Sequence, residues 1–136
     1  LPATTPLRPC DNAQDTSREP IESVLSQGYP ELQYIVVDGA STDGTMDIVR
    51  EYEAELDRII SEPDNGMYDA IGKGFARNTT GEVFMYLNAD DVLEPNALLR
   101  VGEHFRDHPK SHVCYREDTI TIGPWRFPNA AQPARV

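Results

Sequence analysis

The feature that most constrains this chain is an alternation of short apolar runs with helical stripes, each run stopping at a carboxylate or an amide. Tyr34, Ile35, Val36 and Val37 pass without a break into Asp38 and Gly39, and Val83 to Leu87 pass into Asn88, Asp90 and Asp91. Runs without polar alternation suit strands covered on both faces. Between them, Ile21, Val24 and Leu25 form an i, i+3, i+4 stripe bounded by Pro20 and by Gly28 and Pro30. Ile48, Val49, Tyr52 and Leu56 form a second stripe, with Thr45 as the expected N-cap. Arg58 to Ser61 reads as a short strand, and residues 67–79 as a helix with Met67, Ile71 and Phe75 inward, weakened by Gly72 and Gly74. A helix over 95–107, opened by Pro95 and burying Leu98, Val101 and Phe105, precedes a last strand over 111–115.

The order α, β, α, β, α, β, α, β demands parallel strands joined by helical crossovers, and ligands of such sheets bind beyond the carboxyl ends of the strands. The acid clusters fall at such ends: Asp38, then Glu62 and Asp64, then Asn88, Asp90 and Asp91. Burying a carboxylate is costly unless a cation or several donors compensate. Two readings of Asp90 and Asp91 therefore stand side by side. They hold a hard divalent ion, Mg²⁺ or Mn²⁺, which suits carboxylates without His or Cys; or they cap the helix at Pro95.

At 136 residues one domain is expected. Residues 1–17, proline-rich and without period, read as an irregular N-terminal segment; 18–116 as the domain; 117–136, with Trp125 and Phe127 among prolines and a glycine, as an irregular tail. A net charge of −11 argues against nucleic-acid binding. Cys10 and Cys114 have neither zinc nor disulfide-framework spacing, so free thiols of a cytoplasmic protein are expected. No apolar stretch approaches the ~20 residues of a transmembrane helix. His104, His108 and His112 read as surface residues, and Asp43-Gly44 and Asn65-Gly66 as turns.

The stretches IESVLSQGYPELQYIVVDGASTDGTMDIV, SEPDNGMYDAIGKG and GEVFMYLNADD occur in that order over residues 20–108. They resemble the nucleotide-sugar-binding half of family 2 glycosyltransferases, a GT-A, Rossmann-like α/β fold. The resemblance implies inverting, metal-assisted transfer of a sugar from a nucleoside diphosphate donor, a UDP-sugar by preference, to a saccharide or lipid-linked saccharide in polysaccharide biosynthesis. A lipid-linked acceptor would place the protein at the inner face of a membrane. By motif position, Asn88, Ala89 and Asp90 correspond to the family's DxD element. Asp90 is then the main metal-bridging candidate with Asp91 its neighbour, Asp38 lies near the base and ribose, Asp64 and Asp69 lie beside the donor pocket, and Lys73 meets a phosphate.

This chain departs from the family pattern at Gly72, where an asparagine amide is usual before the lysine. The family's first strand has no counterpart legible in residues 1–19, so a central sheet position is expected to be empty, with an exposed edge inviting pairing with a second copy. The half that supplies the catalytic base is also missing from the match; Glu117 and Asp118 are the only acids after the last helix, and the base stays unassigned. These departures imply a fragment truncated at both ends. The alternative to an enzyme is an inactive relative that binds a nucleotide weakly or serves as an interaction domain.

Overall fold

The computed structural model describes residues 1–77, 81–116, 119–122 and 134–135, with side chains described as far as residue 112. Glu117, Asp118, Trp125 and Phe127 lie outside the described residues. The elements are β1 (Thr4–Cys10), α1 (Arg18–Leu25), β2 (Ile35–Asp38), α2 (Thr45–Glu51), β3 (Arg58–Ser61), α3 (Met67–Ala76), β4 (Val83–Tyr86), α4 (Ala97–Asp107), β5 (Val113–Arg116), β6 (Thr119–Ile122) and β7 (Ala134–Arg135). They build one sheet of order β3-β2-β1-β4-β6-β5-β7, in which β3, β2, β1 and β4 run parallel and β6 is antiparallel to β4 and β5.

The unbroken run of β2 behaves as its composition requires. Tyr34 and Val36 point to one face, where Ile21 and Val24 of α1, Val49 of α2 and Leu98 of α4 cover them; Ile35 and Val37 point to the other, against Ala70 of α3. Tyr34 through Asp38 are all buried. Burying an apolar side chain of this size is worth roughly 1.5–3 kcal/mol, so a strand covered on both faces anchors the domain.

The N-terminal segment corrects the sequence reading. Residues 4–10 are not irregular: β1 is the central strand, its whole length buried, pairing with β2 through Leu7–Cys10 and with β4 through Thr4–Leu7. The missing strand is therefore present, and the open edge expected to invite a second copy has lost its premise. Pro6 and Pro9 hid it, since proline normally marks edges. The hydrogen bonds show why both are tolerated. Alternate residues of a strand direct their backbone groups to opposite neighbours. The Leu7 carbonyl faces β4, accepting from Leu87 N at 2.9 Å, while the Thr4 and Cys10 carbonyls face the β2 side, accepting from Gln33 N and Gly39 N. Pro6 thus faces the β2 side in the gap between the Thr4–Leu32 bridge and the ladder that resumes at Leu7–Ile35, and Pro9 faces β4 beyond the point where that ladder ends. Each missing N–H falls at a break or an end of a ladder, and the pairing beside it survives.

Other boundaries move for local reasons. The cap of α2 comes from Asp43 rather than Thr45: the Asp43 carboxylate accepts from Thr45 N at 2.9 Å and from the Thr45 hydroxyl. Ile71 and Phe75 of α3 pack against the core as expected, but the residues of closest approach are Ala70 and Gly74, whereas Met67 is 39% exposed, because only small residues let the helix approach Leu7 and Val37. Helix α4 begins at Ala97, after Asn96 at φ 64°, and its Leu98 N–H is capped from a distance by Gln27 Oε1 at 3.2 Å. Strand β6 replaces part of the expected irregular tail; its Thr-Ile-Thr-Ile alternation has the strand period. Among the described residues no helix is long and apolar enough to cross a membrane.

Candidate functional site

Chain order places β2 and β3 on one side of β1 and β4 on the other, so the order reverses between β1 and β4. Open α/β sheets bind their ligands at such a reversal, outside the carboxyl ends of the strands. A cleft of about 170 Å³ lies there, formed by Pro9, Cys10 and Asp11 after β1, Asp64, Gly66, Met67 and Ala70 before and within α3, and Asn88 and Ala89 after β4. Typical small-molecule pockets span about 300–1,000 Å³, so this cleft is smaller than a complete pocket of that kind.

Beyond β4 the chain makes a tight turn over Asn88–Asp91. Asp91 N donates to Asn88 O at 3.1 Å, and Asp91 Oδ2 accepts from Asn88 N at 2.9 Å. Asp91 thus braces its own turn, and neither acid caps α4, whose cap is Gln27. The helix-capping reading is set aside on that geometry. Asp90 is exposed and has no hydrogen bond or ion pair among the described residues.

The remaining candidates divide between the cleft and its supports. Asp38 is fully buried: its carboxylate accepts from Ser41 N at 3.0 Å, from Ser61 Oγ at 2.8 Å and from the Ser41 hydroxyl, which holds the loop after β2. Asp64 lines the cleft, accepts from Gly66 N at 2.9 Å, and packs so closely on Gly39 that a Cβ there would lie 2.8 Å from its Oδ2. Asp69 and Lys73 support the loop instead of lining the cleft. Asp69 accepts from Asn65 N at 3.0 Å, which with the Lys73 ammonium holds its carboxyl below the usual range. Lys73 Nζ donates to Pro63 O at 2.7 Å and lies 3.5 Å from both Glu62 and Asp69, so its charge is spent on the loop.

Sequence reasoning missed Arg8, Cys10 and Asp11, because all depend on β1. The signal was present in register: Pro9-Cys10-Asp11 stands to the sheet rim as Val37-Asp38-Gly39 does. Burial, and then the negative charge of Asp38, push the Cys10 thiol up to about 12 from an ordinary 9.0. An unfolded chain would release this proton near pH 9 while the folded one keeps it, so stability is fully present below pH 9 and declines as pH rises towards 12. Urea unfolding between pH 9 and 11 should show a loss of about 1.4 kcal/mol per pH unit from this thiol, and Cys10→Ala should remove that part of the slope.

Among the described residues no group of three or more His, Cys, Asp or Glu side chains could hold a metal ion. His104 and His108 instead stack at 4.5 Å at the C-terminal end of α4.

Known proteins resembling this chain agree with the fold and extend it. The chain is 35% identical over 103 residues to a glycosyltransferase of Nostoc, covering 74% of this chain and 32% of that protein. It is 31% identical over 106 residues to the poly-beta-1,6-N-acetyl-D-glucosamine synthase of Staphylococcus epidermidis, covering 76% and 26%. It is 34% identical over 114 residues to a PGL/p-HBAD biosynthesis glycosyltransferase of Mycobacterium tuberculosis, covering 81% and 44%. The chain thus spans between a quarter and under half of these relatives. Among solved structures, S. aureus TarS superposes with a TM-score of 0.76 at 24% identity over 84% of this chain and 21% of its own. The mannosyltransferase PcManGT of Pyrobaculum calidifontis, in complex with GDP-Man and Mn²⁺, superposes with a TM-score of 0.73 at 26% identity, over 83% and 34%. The family model described as glycosyl transferase family 2 matches residues 9–133, and the chain, a GT-A fold with its central strand in place, belongs to that family.

Proposed function

We propose that the rim between β1 and β4 binds the diphosphate of a nucleoside diphosphate sugar, a UDP-sugar by family resemblance, and that the protein transfers the sugar with inversion to a hydroxyl of a saccharide or lipid-linked saccharide. The observation that carries this reading is the Asp90 carboxylate, without a partner among the described residues and held on a braced turn at the switch point of the sheet. The mannosyltransferase with GDP-Man and Mn²⁺, and the relative that is a polysaccharide synthase, point the same way.

The donor set fits a hard divalent ion. Mg²⁺ and, by the same hard-ion chemistry, Mn²⁺ take one or two protein carboxylates and fill their other positions with water and substrate phosphate, which is the donor set that Asp90 and Asp91 offer. Asp90, with the Asp91 oxygen not engaged by Asn88, would hold the ion. When bound, such an ion offsets the repulsion between a diphosphate and an acidic chain and acts as a Lewis acid on the leaving phosphate. Asp64 and Asn88 shape the cleft beside the donor. Asp38 orders the loop assigned to the base and ribose, while Asp69 and Lys73 keep the loop before α3 in place.

Calorimetric titration of UDP with and without Mn²⁺ tests this. Mn²⁺-dependent binding is expected, weakened at least about 100-fold in Asp90→Ala, since even an outer-sphere partner of a metal site is worth 10–100-fold in affinity. No binding by the folded chain under either condition would instead favour the inactive relative.

A further inference from the structure

Arg8 poses a problem that strand formation does not solve. It lies in the central strand at 1% exposure, yet no carboxylate among the described residues lies within ion-pair distance of it. A buried charge without a counter-charge is costly, and a β-branched residue would serve the strand better. Its donors are instead spent on neutral oxygens. Nε donates to the buried Tyr34 hydroxyl at 2.7 Å, Nη1 donates to the Asn88 carbonyl, and Nη2 donates to the Asp91 carbonyl at 3.3 Å.

Those two carbonyls belong to the first and last residues of the turn that carries Asp90. The guanidinium spans the turn from behind the sheet, adding to the Asp91 N to Asn88 O bond and to the Asp91 side-chain brace. The planar fork matters, because an ammonium is a point charge that cannot hold two carbonyls and a phenol in fixed directions. All three Arg8 acceptors are positioned by other elements, so the fork transmits the geometry of β1 and β2 to the turn after β4.

We propose that Arg8 is a positioning residue for the cation and diphosphate site, fixing the Asn88–Asp91 turn so that Asp90 is presented to the donor-bound metal ion. The proposal rests on the reading of Asp90 given above. Tyr34 is its partner in this role, since its hydroxyl fixes the plane of the guanidinium from Nε.

The test is the ratio of UDP affinities with and without Mn²⁺, measured by calorimetry on the wild-type chain, Asp90→Ala, Arg8→Lys and Tyr34→Phe, with urea unfolding of each. In Arg8→Lys the Mn²⁺-dependent gain should fall on the order of tenfold, the worth of one charge-assisted hydrogen bond, while affinity for UDP without metal stays as in the wild type. Tyr34→Phe should lower the gain in the same direction by less. A purely structural role would lower the urea midpoint and leave the gain intact. An unchanged gain in Arg8→Lys beside its loss in Asp90→Ala overturns the role of Arg8 and leaves the donor site standing; no gain in the wild type overturns both. If Arg8→Lys does not fold, Tyr34→Phe and the wild-type Arg8 Nε–H resonance decide: that proton should be protected from exchange and shift when UDP and Mg²⁺ are added together. A resonance that does not respond, with the gain unchanged in Tyr34→Phe, overturns the proposal.

Discussion

Deleting residues 1–10 is expected to abolish cooperative folding. The deletion removes β1, which alone joins the β2–β3 pair to β4, so the parallel sheet falls into two pieces. Leu7, fully buried between β2 and α3, is lost with it, and the Ile35, Val37 and Ala70 cluster opens to water. Loss of one such side chain from a core costs roughly 2–5 kcal/mol, and here a whole buried strand goes, against a typical domain stability of about 5–15 kcal/mol. Far-ultraviolet circular dichroism in a urea titration should show a broad, non-cooperative change, with dye binding to exposed apolar surface. Were residues 1–10 an irregular leader, the urea midpoint would stay where it is in the full chain.

Gly74→Ala is expected to destabilise the domain by about 3 kcal/mol, at the upper end for overpacking a core. A Cβ at Gly74 would lie 1.9 Å from Leu7 Cδ1, 2.9 Å from Leu7 Cγ and 3.1 Å from Val37 Cγ2. Leu7 cannot swing clear, because it is itself fully buried, so α3 has to lift from the sheet. The same methyl at Gly72, in the same helix, meets nothing within 4 Å. There the higher helix propensity of alanine should act unopposed and stabilise the chain by about 0.5–1 kcal/mol. Urea midpoints of the two variants should therefore move in opposite directions. A shared direction would mean that helix propensity, not contact with Leu7, governs both positions.

The rim residues show how far a one-dimensional pattern reaches. Asp38 and Asp64 are legible because a strand's end is visible where its apolar run stops, and the strand end is where an α/β sheet binds. The roles of Asp69, Lys73 and Asp91 are less legible, because a polar side chain can bond to its own loop as readily as to a ligand. Lys73 is occupied by Pro63, Glu62 and Asp69, and Asp91 by Asn88, choices made by side-chain reach in the folded loops. Met67 was misplaced for a related reason. Apolar spacing correctly names Ile71 and Phe75, but the close approach to Leu7 centres the contact on Ala70 and Gly74 and leaves Met67 outside it.

The parallel α/β class, most of the helices, the strands β2, β3 and β4, and the edge of the sheet on which the acids gather are legible in the order of residues, because continuous burial on two faces and helical periodicity are written locally. That TTPLRPC is the central strand emerges only once the sheet is assembled. Its prolines are tolerated only where the neighbouring ladders break or end, and its arginine is stable only where Tyr34, Asn88 and Asp91 supply acceptors from far along the chain. Those conditions are non-local, since a strand's tolerance for proline and for buried charge depends on which backbone groups face it once the sheet has formed.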